Sequence, residues 1–191
     1  MNLGSGLEMN SELADPDLVL VREFMSGRAV AFDRLYERHS AYVYNTCLGI
    51  LGNPEDARDA TQDTFVQLYR SLPKFRGQSR LSTWLYRIAV NKCMDALRSR
   101  PKWESADSLE LVRNADRPAA EHLQEEHVRQ TILKLRSDFR AVLVLYYFQQ
   151  LSYAEIAESL GYSMDQVRIR LHRARKAFRQ AYDDGGGPVE M

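Results

Sequence analysis

Between Asp165 and Tyr182 the chain carries Arg168, Arg170, Arg173, Arg175, Lys176 and Arg179 against one acid, Asp165. Cations at that density make and break no bonds of their own. Their chemistry is attraction for phosphate. Laid out at about 100° per residue, Met164, Val167, Leu171, Ala174 and Phe178 fall on one narrow stripe. That is the pattern of a helix packed on a domain. Opposite lie Asp165, Ile169, His172, Arg173 and Lys176, with Arg168 and Arg175 on one flank and Arg170 on the other. A DNA major groove admits one such helix, whose outward residues reach base edges while flanking cations meet phosphates. Arg168 and Arg173 suit guanine, Ile169 a thymine methyl, and His172 a base edge. The competing reading is a solvated basic surface.

A second basic run has different chemistry. From Arg70 to Arg100 the charged residues are Arg70, Lys74, Arg76, Arg80, Arg87, Lys92, Arg98 and Arg100, with Asp95 as the only acid. Here cations interleave with aromatics, from Phe75-Arg76-Gly77-Gln78-Ser79-Arg80 to Trp84-Leu85-Tyr86-Arg87, and Trp84, Arg87, Asn91 and Arg98 share a helical stripe. Aromatics stack on unpaired bases, and cations track the backbone of a single strand. A small polar loop at Gly77 suits a base turned out of the duplex, and Asn91 suits a base edge. Taken singly, Trp84 reads more readily as core than as a base platform, and Tyr86 and Ile88 read as packing.

The elements that must position these residues are helical nearly throughout. Asp15-Pro16 starts a first helix, which Gly27 ends; a second runs roughly from Ala31 to Leu51. Asn53-Pro54-Glu55-Asp56 caps a third, running to about Leu72 with Ala57, Thr61, Thr64, Phe65, Leu68 and Leu72 inward. A capping residue, a proline at the first helical position and early acids all favour a helix start. The outer face of that helix holds Asp59, Gln62, Asp63, Val66 and Arg70, either plain solvated surface or a docking face for a helical partner with Val66 as a small apolar anchor. Pro73 and Gly77 break the chain before a fourth helix near Ser82 to Arg98.

Residues 101–122 are acidic, marked by Pro101 and Pro118, and read as a linker. From Leu123, Val128, Ile132, Leu135, Phe139, Val142 and Tyr146 suggest two helices broken around Ser137. Ser152-Tyr153-Ala154-Glu155 and Ser163-Met164-Asp165-Gln166 are capping boxes separated by Gly161. Two short capped helices joined through a glycine form a helix-turn-helix. Together with an exposed Ile169, this tips the basic helix toward DNA reading. The expected organisation is all-α: a tail over 1–14, a helical domain over 15–100, a linker over 101–122, a helix-turn-helix domain over 123–182, and a Gly-rich tail over 183–191.

Composition narrows the remaining classes. The net charge of 191 residues is zero, because an acidic connector offsets the two basic patches. No apolar run approaches the roughly 18 residues of a membrane helix, and no signal peptide is visible, so a cytoplasmic protein without membrane insertion is expected. Cys47 and Cys93 sit in apolar helical patterns and read as buried thiols. His39, His122, His127 and His172 have no ligand spacing, and no paired-carboxylate, zinc, Gly-rich-loop or nucleophile motif occurs. No metal, cofactor or catalytic residue is expected.

Four segments in order resemble the extracytoplasmic-function (ECF) group of the sigma-70 family of RNA polymerase sigma factors. They are Asp56-Ala57-Arg58-Asp59-Ala60-Thr61-Gln62-Asp63-Thr64-Phe65, then Phe75 through Asn91, then Leu151 through Ala157, then Val167 through Arg175. The resemblance spans roughly Leu18–Arg98 and Val128–Tyr182. It implies two small domains, sigma-2-like and sigma-4-like. Asp59, Gln62, Asp63 and Val66 would dock on the clamp helices of the largest subunit of core RNA polymerase. Phe75, Arg76, Gly77, Gln78, Ser79, Arg80, Trp84, Arg87, Asn91 and Arg98 would serve −10 recognition and melting, with Asn91 and the 75–79 loop capturing a flipped base. Arg168, Ile169, Arg170, His172, Arg173, Arg175 and Lys176 would read the −35 element, and the second domain would sit on the flap of the second subunit. An anti-sigma factor would be the regulator. Little sequence follows Tyr182, so no further regulatory domain is expected there.

This sequence departs from the family pattern at Arg28, Arg136, Asp165, Gln166 and Ile169, which bears on −35 preference rather than on fold. A helix-turn-helix activator or repressor would explain the second domain alone. An enzyme acting on nucleic acid would need a motif the chain lacks.

Overall fold

The computed structural model describes residues 15–99 and 119–185, with side chains from residue 125 in the second segment. The expected tail over 1–14 and most of the linker lie outside the described residues. All regular structure among the described residues is helical. The elements are α1 (Pro16–Met25), α2 (Val30–Leu51), α3 (Pro54–Ser71), a 3₁₀ turn (Leu72–Lys74), α4 (Leu81–Ser99), α5 (Ala119–Leu133), α6 (Ser137–Leu143), a π-helical turn (Val144–Phe148), α7 (Tyr153–Leu160) and α8 (Met164–Asp184).

Local chemistry sets the boundaries. The Asp15 carboxylate accepts from the Asp17 amide, and the Asn53 side chain accepts from the amides of Glu55 and Asp56, so both proline-led helices start on a satisfied cap. Gly52 closes α2 in the left-handed conformation at φ 76°, where a side chain would be strained. Both expected capping boxes are formed: Ser152 with Glu155, and Ser163 with Gln166. The Ser152 hydrogen bonds, reinforced by Arg80, outweigh partial burial and hold the Glu155 carboxyl below its ordinary range.

The inward stripe read for α3 is buried in full, from Ala57 to Leu72. Leu35, Ile50, Leu68, Leu81 and Leu85 complete that core. Cys47 and Cys93 are buried free thiols within it, as expected. The hydrogen bond to Cys47 and burial push the Cys93 thiol up. Asp17 ties α1 to α2, with His39 Nε2 at 2.8 Å and Arg38 Nε at 3.0 Å. Burial raises its carboxyl, but the hydrogen bond and charge of His39 and the charge of Arg38 prevail and lower it.

Three boundaries differ from the sequence reading. α5 begins at Ala119, inside the stretch read as linker. Ala119 and Ala120 are the best helix formers and Glu121 favours a first turn, but the surrounding acids mask that signal. α6 passes without a break into the π turn at Val144, a change of helix type that a 3.6-residue period cannot register. α8 continues two residues past the expected domain end, to Asp184.

The two halves share one continuous buried cluster, which joins Leu81, Leu85 and Ala89 to Ala141, Val144, Leu145 and Ile156. α4 packs on α7, and α2 on α5, α6 and the π turn.

Candidate nucleic-acid interface

α8 is built from one buried stripe. Val167, Leu171 and Ala174 are fully buried, and Phe178 packs partly against the core. Met164, expected on that stripe, is 44% exposed because it opens the helix before the core begins. Opposite, Asp165, Arg168, Ile169, His172, Arg173, Arg175 and Lys176 are all exposed. Ile169 leaves 49% of its surface in solvent. Arg168 donates to the Asp165 carboxylate at 2.9 Å, so the acid at the helix start is partly neutralised.

Two of the expected −35 cations lie over aromatic rings, a pairing that no sequence pattern had singled out. The Arg170 guanidinium lies 4.0 Å from the Tyr162 ring centre, and Arg170 is half-buried. The Arg175 guanidinium lies 5.1 Å from the Tyr146 centre and 5.6 Å from that of Tyr147. Cation–π contact of this kind orients a guanidinium without neutralising it. The contact between Tyr162 and Arg170 crosses the turn of the helix-turn-helix. Its only sequence signal is an aromatic placed after Gly161.

In the first domain, Phe75 and Trp84 stack with ring centres 5.1 Å apart and planes 30° apart. Both are half-buried, so each keeps part of its surface accessible while the pair is anchored to the core. Gly77 sits at φ 67°, and Arg76, Gln78 and Arg80 around it are exposed, with Ser79 half-buried. Arg87, Asn91 and Arg98 follow along the exposed side of α4. Tyr86 is buried at 7% exposure, in line with its reading as packing. Its hydroxyl donates to Gln149 Oε1 at 2.8 Å, and burial with the neighbouring Tyr42 pushes it up to about 12.

The structure therefore brings Phe75, Trp84 and the Gly77 loop together, and lines Arg87, Asn91 and Arg98 along one helix. It does not leave them all equally open. Arg80 is 3.5 Å from Glu155 of α7, and Asn91 and Arg98 line a cleft of about 440 Å³ whose other wall includes Asp138 and Tyr162.

On α3, Asp59, Gln62, Asp63 and Val66 are all exposed, with Val66 at 48%. Asp63 reaches toward Lys92 of α4 at 3.7 Å. Tyr69, also exposed, continues the apolar end of this face and packs edge-on against Phe24 and Phe32. Among the described residues no His, Cys, Asp and Glu cluster could hold a metal ion, and no helix is long and apolar enough to cross a membrane.

Comparison with known proteins is consistent over nearly the whole chain. Residues 35–102 match the model of Sigma-70 region 2, and residues 126–178 that of Sigma-70, region 4. The RNA polymerase sigma factor YlaC of Bacillus subtilis is 36% identical over 76% of this chain and 88% of its own length. The ECF RNA polymerase sigma factor SigW of the same organism is 32% identical over 86% and 95%. The RNA polymerase sigma-H factor of Pseudomonas aeruginosa is 31% identical over 87% and 94%. Among solved structures, that of CnrH in complex with the cytosolic domain of CnrY superposes with a TM-score of 0.70 at 29% identity, covering 89% of this chain and 99% of that one.

Proposed function

Because the chain belongs to the ECF group of the sigma-70 family, and is a sigma factor that directs core RNA polymerase to promoters, we propose a residue-level division of labour between its two domains. α8 reads duplex DNA at the −35 element. Arg173 and Arg168 take base edges, Ile169 and His172 sharpen the choice, and Arg170, Arg175 and Lys176 hold phosphates. The Phe75–Trp84 stack and the Gly77 loop receive a base turned out at the −10 element. Asn91 meets its edge, and Arg76, Gln78, Ser79, Arg80, Arg87 and Arg98 follow the single strand. Asp59, Gln62, Asp63 and Val66 dock on the clamp helices of the largest polymerase subunit, and the second domain seats on the flap.

One observation supports this reading: a single chain presents two basic faces of different chemistry. The first is an exposed cation-and-isoleucine helix face. The second is an aromatic stack beside a left-handed glycine and exposed cations. A duplex reader needs only the first. A protein that also opens DNA needs the second, because the flipped base must be received as it leaves the stack. Energy for opening comes from phosphate contacts on both domains, which offset the few kcal/mol of turning out a base. The chain itself makes and breaks no bonds, and it works in the cytoplasm with the polymerase. An anti-sigma factor is the regulator this reading expects.

The test is transcription from a randomised promoter pool by core polymerase with and without this protein. Transcripts that appear only on addition, sharing a two-part upstream motif, support the reading. A shift of duplex DNA by the protein alone, with no added transcripts, overturns it in favour of an operator-binding regulator.

A further inference from the structure

The turn between α7 and α8 fixes one side chain more firmly than a connection needs. Gly161 takes the left-handed conformation at φ 66°, and the Tyr162 amide donates back to the Ala157 carbonyl at 2.9 Å, which closes α7. Ser163, the next residue, caps α8. Tyr162 is thus held between two satisfied helix ends. Its half-buried ring lies under the Arg170 guanidinium, whose Cζ is 4.0 Å from the ring centre.

Arg170 is satisfied differently from its neighbours. Arg168 is paired with Asp165 at 2.9 Å. Arg170 has no carboxylate partner among the described residues, and its Nε is buried with no hydrogen-bond partner among them. An unpaired buried donor is unfavourable. Joining α7 to α8 does not require one, because an apolar side chain at this position would pack on Tyr162 without it. The contact does leave the charge usable. Stacking occupies the flat face of a guanidinium, whereas its donors lie in the plane. With Nε buried, the donors left for a ligand are those of the two terminal amino groups. They form a fork that matches two oxygens of a phosphate. Arg175, over Tyr146 and Tyr147, stands on the opposite flank of the buried stripe, about 140° round the axis at about 100° per residue. The two ring-supported cations straddle the reading face as two phosphate backbones straddle a major groove about 12 Å wide.

We propose that Tyr162 is a positioning residue for promoter recognition: its ring holds the Arg170 fork ready for a backbone phosphate beside the −35 element, across the groove from the contact made by Arg175. This rests on the assignment of α8 to the −35 element made above. Preorganisation spares the entropy of fixing a long side chain on binding. A phosphate carries no sequence information, so Tyr162 contributes affinity and register and not base choice.

The test is a double-substitution cycle on promoter binding by core polymerase carrying the full chain. Arg170→Ala should weaken binding and lower the slope of log affinity against log salt by about 0.9, the share of one phosphate. Tyr162→Leu and Tyr162→Met remove the ring, and each should weaken binding about two- to fivefold. Tyr162→Phe keeps the ring and should bind as wild type. Combined with Arg170→Ala, the ringless substitutions should cause no further loss. The ranking of −35 variants should stay the same in all of them, in contrast to Arg173→Ala. Helical content and unfolding midpoint are measured for each, so that lost binding is told apart from lost fold. A ring that only braces the turn would lose binding equally with and without Arg170. That result overturns the proposal, as does wild-type binding by the ringless variants or an unchanged salt slope in Arg170→Ala. The reading of α8 survives each of these if Arg173→Ala still loses −35 discrimination. Undiminished promoter binding and discrimination by both Arg170→Ala and Arg173→Ala would overturn that reading and the proposal together.

Discussion

α8 and the α4 region both carry cations beside apolar residues, yet they present them in different ways. α8 has one packing stripe, Val167, Leu171 and Ala174, and the residues opposite it are exposed. α4 is packed by α2, α3 and α7 at once. Its Thr83, Leu85, Tyr86, Ala89, Val90 and Cys93 are all buried, and only a narrow strip from Arg87 to Arg98 remains outward. A helix whose neighbours α5, α6 and α7 all meet one stripe can give nearly a whole face to recognition. A helix buried on several sides must divide each turn between core, seam and ligand. Substitutions on α8 should therefore separate cleanly into folding and binding effects, while those on α4 should mix them.

The largest expected effect tests the packed side of α8. Leu171→Ala should destabilise the protein by about 2–5 kcal/mol, read as a shift in thermal or denaturant unfolding. A shift no larger than that of an exposed-site variant would mean that the stripe does not anchor the helix. On the opposite face, Arg173→Ala should cost about 1–3 kcal/mol of −35 discrimination with unchanged unfolding. Equal affinity across −35 variants, before and after the substitution, would remove Arg173 from the reading face.

Cap chemistry gives a smaller effect. Ser152→Ala removes one partner of the box that starts α7 and should cost about 1 kcal/mol. That loss should appear in stability and, through the turn, in −35 binding. The smallest effect is tied to pH. The Asp17 carboxyl is lowered in the fold by His39 and Arg38, so its contribution is present above the unfolded value. It is lost as pH falls through the folded value, below about pH 4. Asp17→Asn should therefore flatten the acid limb of the stability curve and leave DNA binding at neutral pH unchanged. An unaltered acid limb would mean that the clip between α1 and α2 carries no net stability.

The same contrast explains what could be read in the sequence. Helix starts were legible wherever a capping side chain, a proline and early acids coincide, as at Asp15 and Asn53, and both capping boxes formed as spaced. The inward stripe of α3 was legible because that helix has a strict period and a single buried side. The outward face of α8 was legible for the same reason. Tyr162 beneath Arg170, the Tyr146 and Tyr147 rings beneath Arg175, and the Tyr86–Gln149 bond were not, because each joins residues that no helical period relates. Gly49 was passed over for another reason. A glycine inside a helix reads as a weak point until the side chain it admits, Val144, is in view.

The central claim is that the two faces act on different forms of DNA. The most direct measurement is promoter binding and strand opening by core polymerase carrying wild-type protein, Arg173→Ala, Trp84→Ala or Asn91→Ala, on one promoter taken from the randomised pool. Opening is followed by a fluorescent base analogue in the −10 region. The account predicts that Arg173→Ala weakens initial binding to the duplex, while Trp84→Ala and Asn91→Ala bind normally and open poorly. Normal opening by both α4 variants, or failure of all three at the same step, would contradict it.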